Sequence, residues 1–353
     1  DLNIGRSWAL WNFEGYESRT GDSTGGGWEE LAGFVITMDD QAREHGCGRL
    51  MWEYSSELTR YGTPMAPMLM PHWTDGCIGS MEGLYFESST TTPFHFLIQS
   101  ELSTAPSRAQ RDLPYRSFDI DAGIDHLQQL GVKYYAASSQ VATAKAQQHP
   151  ALNEIANSGP WTIFKVTNSE LVTQLDFEPA IFGHLKHSEW LNPSVEVFQE
   201  GSQAVVRTLG GMSHWQHVDL EGKPERIGLP QVEVSGINVD TDRIEFKVDK
   251  IGVPVIVKTS YFPNWKAKGA EGPWRATPNL MVVVPTEKEV SLEYGRSPIE
   301  MVSILLTLAG LISLAFVARK PNSLDFSSPW FDSNLILPDI DKRLNKWSKS
   351  SPE

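Results

Sequence analysis

One apolar stretch decides the architecture of this chain: Met301-Val-Ser-Ile-Leu-Leu-Thr-Leu-Ala-Gly-Leu-Ile-Ser-Leu-Ala-Phe-Val-Ala318. It contains no charged side chain, and with Ile299 it approaches the roughly 20 residues that a helix needs to cross a bilayer. A core helix of a soluble domain normally keeps one polar face, and this stretch has none. It therefore predicts a single transmembrane helix, residues 299–318, with the lipid bilayer as its partner.

Basic residues follow this helix directly. Arg319 and Lys320 favour a cytoplasmic location for the tail, residues 319–353, because positive charge collects on the cytoplasmic side of membranes. The bulk of the chain would then lie outside the cytoplasm, anchored in the cell membrane. The chain starts at Asp1 and shows no signal peptide. We therefore expect it to be the C-terminal part of a longer membrane protein.

The charge of the chain argues against one class of partner. Its net charge is -14, from 44 acidic and 30 basic residues. Such a surface repels phosphate backbones, and no basic stripe interrupts it, so we expect no nucleic-acid partner. The motifs of phosphate-binding loops, dinucleotide folds and zinc proteases are absent from the sequence. We predict no cofactor, no metal and no catalytic residue.

The two cysteines of the chain, Cys47 and Cys77, each stand next to a glycine in a turn-like context. If this region lies outside the membrane, a disulfide between them is the simplest interpretation. The alternative is two separate buried thiols. A metal site is disfavoured because no pair of closely spaced ligands accompanies the cysteines.

The part of the chain before the helix separates into two regions. In residues 1–168, a helical pattern over Asp121–Leu130 stops at Gly131, and Val132–Ala137 then has the apolar pattern of a buried strand. A short helix over Val141–Gln148 and a strand over Trp161–Val166 follow. This order predicts a small α/β unit that contains the Cys47–Cys77 loop.

The second region, residues 169–298, has mostly β signals. Ile244, Phe246 and Val248 alternate with polar residues, and Val253–Val257 and Leu280–Val284 are apolar runs. Turn residues separate these segments, so a membrane-proximal β-sandwich is predicted. The fold class is therefore α+β, followed by one C-terminal transmembrane helix.

Between Trp52 and Phe96 the sequence concentrates carboxylates, imidazoles and indoles. Carboxylates accept hydrogen bonds from sugar hydroxyls and aromatic faces stack on sugar C–H surfaces, so this composition suits a carbohydrate site. The alternative is that these side chains cap turns and pack the Cys47–Cys77 loop. The candidate substrate-binding residues are Trp52, Glu53, His72, Trp73, Asp75, Glu82, Glu87 and His95.

Several segments together resemble a known family. The run Val257-Lys-Thr-Ser-Tyr-Phe-Pro-Asn-Trp-Lys-Ala-Lys-Gly-Ala270, then Pro278–Pro285 and Val290–Tyr294, resembles the last exported β-segment of YfhO-like membrane proteins, in which a final transmembrane helix follows. His126–Tyr135 similarly resembles a Leu-Gly-Val-Lys-Tyr segment of those proteins. The Cys47–Phe96 segment is more similar to large, actinobacterial-type polytopic proteins.

This resemblance implies the exported C-terminal portion of a polytopic protein related to the GT-C glycosyltransferases, which take sugars from polyprenyl-phosphate donors. Their catalytic acid usually lies in an early exported loop, so no catalytic residue can be assigned here. The leading hypothesis is that this part holds an acceptor, a glycan or a polyprenyl-phosphate-linked sugar, for a cell-envelope glycosyltransferase. The alternative is a non-catalytic carbohydrate-binding or scaffolding module. A stand-alone hydrolase is disfavoured because no acid and base stand at a defined spacing.

Overall fold

The computed structural model describes residues 27–81 and 90–319. It shows an α+β protein, as the sequence predicts, in two units: residues 1–294 and residues 295–353. Glu82, Glu87, the first residues of the chain and the tail after Arg319 lie outside the described residues.

The first sheet belongs to an α/β arrangement built from residues 27–166. Its strands are β1 (Gly48–Trp52), β2 (Ile78–Ser80), β3 (Val132–Ala137), β4 (Leu152–Ser158) and β5 (Trp161–Val166). The helices of this region are α1 (Gly27–His45), α2 (Met70–Trp73), α3 (Thr92–Leu102), α4 (Ile120–Gln129) and α5 (Gln140–Gln148), with short 3-10 turns at Ser56–Tyr61 and Ala66–Leu69. The strand order is β2-β1-β3-β5-β4, with β1 parallel to both β2 and β3 and the remaining pairs antiparallel.

The sequence of strand β3 is mostly apolar because both of its faces are covered. Tyr135 and Ala137 point into one hydrophobic core, whereas Tyr134 and Ala136 point into a second core on the opposite face. Successive side chains of a strand alternate between faces, so a strand with both faces covered is mostly apolar, and the one charged residue of β3, Lys133, is only half-buried. The predicted buried strand is confirmed.

Helix α4 begins and ends where its sequence signals indicate. The Asp119 carboxylate accepts a hydrogen bond from the backbone N–H of Ala122 at 3.2 Å, which caps the first turn. After Leu130, Gly131 adopts a φ of +64°, and a Cβ there would meet the Lys258 side chain at 3.2 Å. Glycine is thus required at this helix end both for its backbone conformation and for the close approach of Lys258.

Residues 172–294 form two further sheets. The seven-stranded sheet has the order β6-β12-β15-β14-β8-β7-β9 and the four-stranded sheet the order β10-β11-β16-β13. In chain order the elements are β6 (Val172–Gln174), β7 (Ala180–Phe182), a 3-10 turn (His187–Glu189), α6 (Leu191–Gln199), β8 (Arg207–Leu209), β9 (His217–Val218), β10 (Val234–Val239), β11 (Arg243–Val248), β12 (Val255–Val257), β13 (Trp265–Lys268), β14 (Ala270–Ala276), β15 (Leu280–Pro285) and β16 (Glu289–Tyr294).

Every residue of β15 is buried, because the seven-stranded sheet is covered on both faces. Met281 and Val283 belong to the core shared with the four-stranded sheet, which makes these two sheets a sandwich. Val282 and Val284 belong to the core that also contains Phe164 of the first sheet. The change from mixed to β sequence patterns near residue 168 therefore marks where one sheet ends and the next begins. The two sheets share a hydrophobic core, and one compact unit extends to Tyr294.

The second unit contains helix α7 (Pro298–Arg319). Its first turn is capped by Ser297, whose hydroxyl accepts from the backbone N–H of Glu300 at 3.3 Å. Its stretch Pro298–Val317 is long and apolar enough to cross a membrane, and the apolar side chains along it are exposed rather than packed in a core.

Candidate functional site

The residues predicted from the Trp52–Phe96 segment do not form one cluster. Trp52 and Glu53, at the end of β1, and His95, in α3, are buried, and the Trp52 and His95 rings are 6.4 Å apart. His72, Trp73 and Asp75 are exposed on α2 and the turn after it. Glu82 and Glu87 lie outside the described residues. The segment thus divides into a buried part and a surface part.

Glu53 is a structural carboxylate. It is 1% exposed and accepts hydrogen bonds from the backbone N–H groups of Ser138 (2.8 Å) and Ser139 (2.7 Å) and from the hydroxyls of Ser139 (2.7 Å) and Thr104 (3.2 Å). Ser139 is the N-cap of α5, so the carboxylate sits at the positive end of a helix. Burial and, second, the charge of Glu53 raise the pKa of Tyr135 well above its usual range. These donors occupy both carboxylate oxygens, which leaves Glu53 no evident role in binding a ligand.

The surface part contains an aromatic pair. Trp73 is 48% exposed, and its ring centroid lies 5.6 Å from that of Trp28, with the planes tilted by 56°. The His72 and Trp73 rings meet edge to face, with 4.9 Å between their centroids. Exposed indoles of this kind can stack on a sugar or a partner, so Trp73 and His72 remain candidates as a surface site.

Cys47 and Cys77 form a disulfide bond. It joins the starts of the parallel strands β1 and β2, next to a hydrogen bond from the Gly48 N–H to the Cys77 carbonyl at 3.0 Å. The bridged residues are 30 positions apart in sequence.

We expect replacement of both cysteines by serine to lower the free energy of unfolding by about 3 kcal/mol, because the unfolded chain regains the entropy of this loop. Urea unfolding of the full chain in detergent measures the change. A thiol reductant should destabilise the parent chain equally and leave the double variant unaffected. If complete reduction leaves the parent chain's stability unchanged, the prediction is wrong.

A cavity of about 550 Å³ opens between α4, the segment after α6 and the seven-stranded sheet. This volume falls within the range of small-molecule sites. Its lining combines amides, hydroxyls, carboxylates and one ammonium group with apolar side chains. The residues are Gln128, Gln129, Asn168, Glu170, Thr173, Gln174, Leu175, Asp176, Phe177, Val197, Phe198, Gly201, Ser202, Ala204, Val206, Ile256, Lys258, Thr277, Pro278 and Leu280.

Local hydrogen bonds fix the α4 side of the cavity. The Gln128 amide donates to the Thr167 carbonyl at 2.8 Å, and the Gln129 amide donates to Asp125 at 3.0 Å. The same Asp125 carboxylate accepts from the backbone N–H of Ser202 at 2.8 Å, which ties the segment after α6 to α4. The amide oxygens of both glutamines keep free acceptor capacity, since only their N–H groups are used among the residues that the structure describes.

Two cations lie where α4 ends. Lys258, 6% exposed, donates from Nζ to the Gln128 carbonyl at 2.8 Å, and Arg49 donates to the carbonyls of Leu130 (2.7 Å) and Lys258 (2.6 Å). Burial lowers the pKa of Lys258 to about 8, partly offset by Glu170, and burial lowers the pKa of Arg49 to about 10. Both cations complement the negative end of the helix.

Sequence reasoning missed this cavity. Its walls come from segments more than a hundred residues apart, and its glutamines read only as polar positions of a helix. One local signal existed: Lys258 directly follows the apolar strand β12, and a charge at the end of a fully buried strand is unusual.

Known proteins offer no guide to this cavity. No family model matches the chain, and neither a curated protein nor a solved structure matches it. The resemblance to YfhO-like proteins therefore stays a prediction, and the function has to be argued from the chemistry of the site.

Proposed function

We propose that this chain is the extracytoplasmic part of a bacterial cell-envelope membrane protein and that its cavity holds a glycan. The observation that carries the proposal is the lining of the cavity, where amides and carboxylates stand beside an aromatic ring. A helix able to span a membrane and a disulfide bond support the envelope setting, because disulfides persist in oxidising compartments.

Sugars need this combination of groups. Their hydroxyls both donate and accept hydrogen bonds. A site that binds them therefore supplies acceptors such as carboxylates together with side-chain amides, which can donate and accept. Asp176 and Glu170 are exposed carboxylates of the lining, and Gln128 and Gln129 supply amides held in place by their own bonds. Phe177, in the same lining, is half-buried and has the Arg226 guanidinium over one face of its ring, 5.5 Å from the centroid, so a sugar C–H surface would stack on the opposite face.

The proposed role is holding rather than turnover. In a lipid-linked-sugar-dependent glycosyltransferase, as the sequence resemblance implies, this part would bind acceptor or glycan while the catalytic acid lies in another region of the protein. A carbohydrate-binding module without any turnover is the second form of the same proposal.

We expect Asp176→Ala to weaken glycan binding by about tenfold or more, because a hydrogen bond to a charged group contributes about 1.5–3 kcal/mol. The experiment screens the full chain in detergent on a glycan array and then measures affinity for the selected glycan. Asp242→Ala is the matched control: Asp242 is also exposed, and it lies outside the cavity lining. Within the described residues, Asp176 accepts one hydrogen bond, at its backbone carbonyl from the Leu229 N–H, and its side chain makes none, so its replacement should leave folding intact.

Two outcomes would contradict this assignment. Binding that survives in Asp176→Ala and disappears in Trp73→Ala would move the glycan site to the Trp28–Trp73 surface pair. No glycan bound by a folded, disulfide-intact chain would overturn the proposal in favour of a scaffolding role.

A further inference from the structure

Lys258 has more hydrogen-bonding capacity than its surroundings use. Its ammonium group carries three donors, and one of them is taken by the Gln128 carbonyl at 2.8 Å. No other hydrogen bond of Nζ and no ion pair of Lys258 occurs within residues 27–81 and 90–319. A buried ammonium group with unused donors, in the wall of an open cavity, is positioned to bind a ligand.

The charge near Lys258 is also unbalanced. Its neighbour Arg49 adds a second buried cation, and both are met by backbone carbonyls at the end of α4. A helix C-terminus supplies only roughly half of an elementary negative charge. The Glu170 carboxylate also faces Lys258. Two cations against this one carboxylate and the partial charge of the helix still leave a net positive potential at this end of the cavity.

The carboxylates of the cavity lie on its exposed side. Glu170 and Asp176 are both exposed, whereas Lys258 is buried. A ligand that enters the cavity therefore meets hydrogen-bond acceptors first and a positive charge at the buried end. This order suits a molecule with hydroxyls along its length and an anionic group at the end that enters first.

We propose that the cavity binds an acidic sugar, with an anionic oxygen group of the sugar on the Lys258 ammonium. This inference rests on the proposed glycan-binding function and adds the class of glycan. The anionic group is a uronic acid carboxylate or a phosphate ester, since either accepts hydrogen bonds from the free N–H groups of a lysine.

The first test compares probes that differ in one group: D-glucuronate, D-glucose 6-phosphate and D-glucose, each titrated by calorimetry into the full chain in detergent. We expect at least one acidic sugar to bind about tenfold more tightly than glucose. The two acidic probes distinguish a carboxylate site from a phosphate site. Lys258→Gln should abolish the preference, whereas the control Lys145→Gln, at an exposed position of α5, should retain it.

The second test uses the parent chain alone, so it can be read even if Lys258→Gln does not fold. Because burial lowers the pKa of Lys258 to about 8, its charged fraction in the free protein falls to about a tenth at pH 9. Affinity for the acidic sugar should therefore fall about tenfold between pH 7 and pH 9, with no such fall for glucose. The other charged groups facing Lys258 are Arg49 and Glu170, with Asp176 in the same cavity lining.

The outcomes separate this inference from the proposed function. Glucose bound as tightly as both acidic sugars overturns the inference and leaves glycan binding standing. A preference for acidic sugars that persists in folded Lys258→Gln, or that does not change between pH 7 and pH 9, also overturns it. No sugar bound by the folded parent chain, here and on the glycan array, overturns the proposed function itself.

Discussion

Glu53→Ala is expected to lower the free energy of unfolding by about 3–5 kcal/mol. The carboxylate accepts from the backbone N–H groups of Ser138 and Ser139 and from the hydroxyls of Ser139 and Thr104. Removing it leaves these half-buried donors without an acceptor, and each such group costs up to about 1–3 kcal/mol. The variant also removes a negative charge from the N-terminus of α5.

Urea unfolding of the full chain in detergent measures this effect. Glu57→Ala is the matched control, because Glu57 is an exposed glutamate on the adjacent 3-10 turn and should change stability by less than about 0.5 kcal/mol. Glu53→Gln should fall between the two, since it keeps the size of the side chain and one acceptor oxygen. If Glu53→Ala is as stable as the parent chain and loses glycan binding instead, Glu53 is a ligand residue and not a structural one.

Features set by neighbouring residues were predictable from the sequence. The helix before Gly131 and the strand Val132–Ala137 follow from local periodicity and a glycine stop signal, and the structure has them at Ile120–Gln129 and Val132–Ala137. The apolar stretch at the C-terminus needed only a length and the absence of charge to be read as a helix able to span a bilayer.

The candidate site was less accessible to sequence reasoning, because side-chain roles there depend on distant partners. Glu53 looked like a sugar ligand, yet its donors lie more than 80 positions later, at Ser138 and Ser139. Lys258 was not singled out in the sequence, and its partner Gln128 is 130 positions away. Composition identifies residue types that suit a function, but only tertiary contacts decide which of them are already occupied.

His126→Leu is expected to destabilise the chain by about 3–5 kcal/mol and to weaken ligand binding in the cavity. His126 is 1% exposed, and its ring nitrogens face two acceptors: the Glu101 carboxylate at 2.6 Å from Nδ1 and the Phe198 carbonyl at 2.9 Å from Nε2. The ring therefore bridges the Glu101 carboxyl group and the Phe198 carbonyl, with one nitrogen on each.

Leucine at this position removes one partner of a buried pair. Among the described residues, Glu101 would keep the Arg116 guanidinium, at 3.7 Å, and the Phe198 carbonyl would lose the His126 donor and keep the Gly201 backbone N–H at 3.1 Å. Phe198 also stacks on the imidazole, with 4.0 Å between ring centroids, and it lines the cavity. Loss of the imidazole should therefore shift Phe198 and weaken ligand binding. Stability loss and affinity loss are therefore coupled in this variant, unlike in Asp176→Ala, where only affinity should fall.

A double-mutant cycle decides whether the pair acts as a unit. Glu101→Leu/His126→Leu should recover much of the stability lost in His126→Leu, because two apolar side chains leave no buried charge behind. Urea unfolding provides the four free energies, and His187→Leu, at an exposed histidine, is the control for a loss of imidazole alone. If the two single changes add without coupling, Glu101 and His126 do not stabilise the fold as a pair, and the proposed effect of this pair on the cavity wall is wrong.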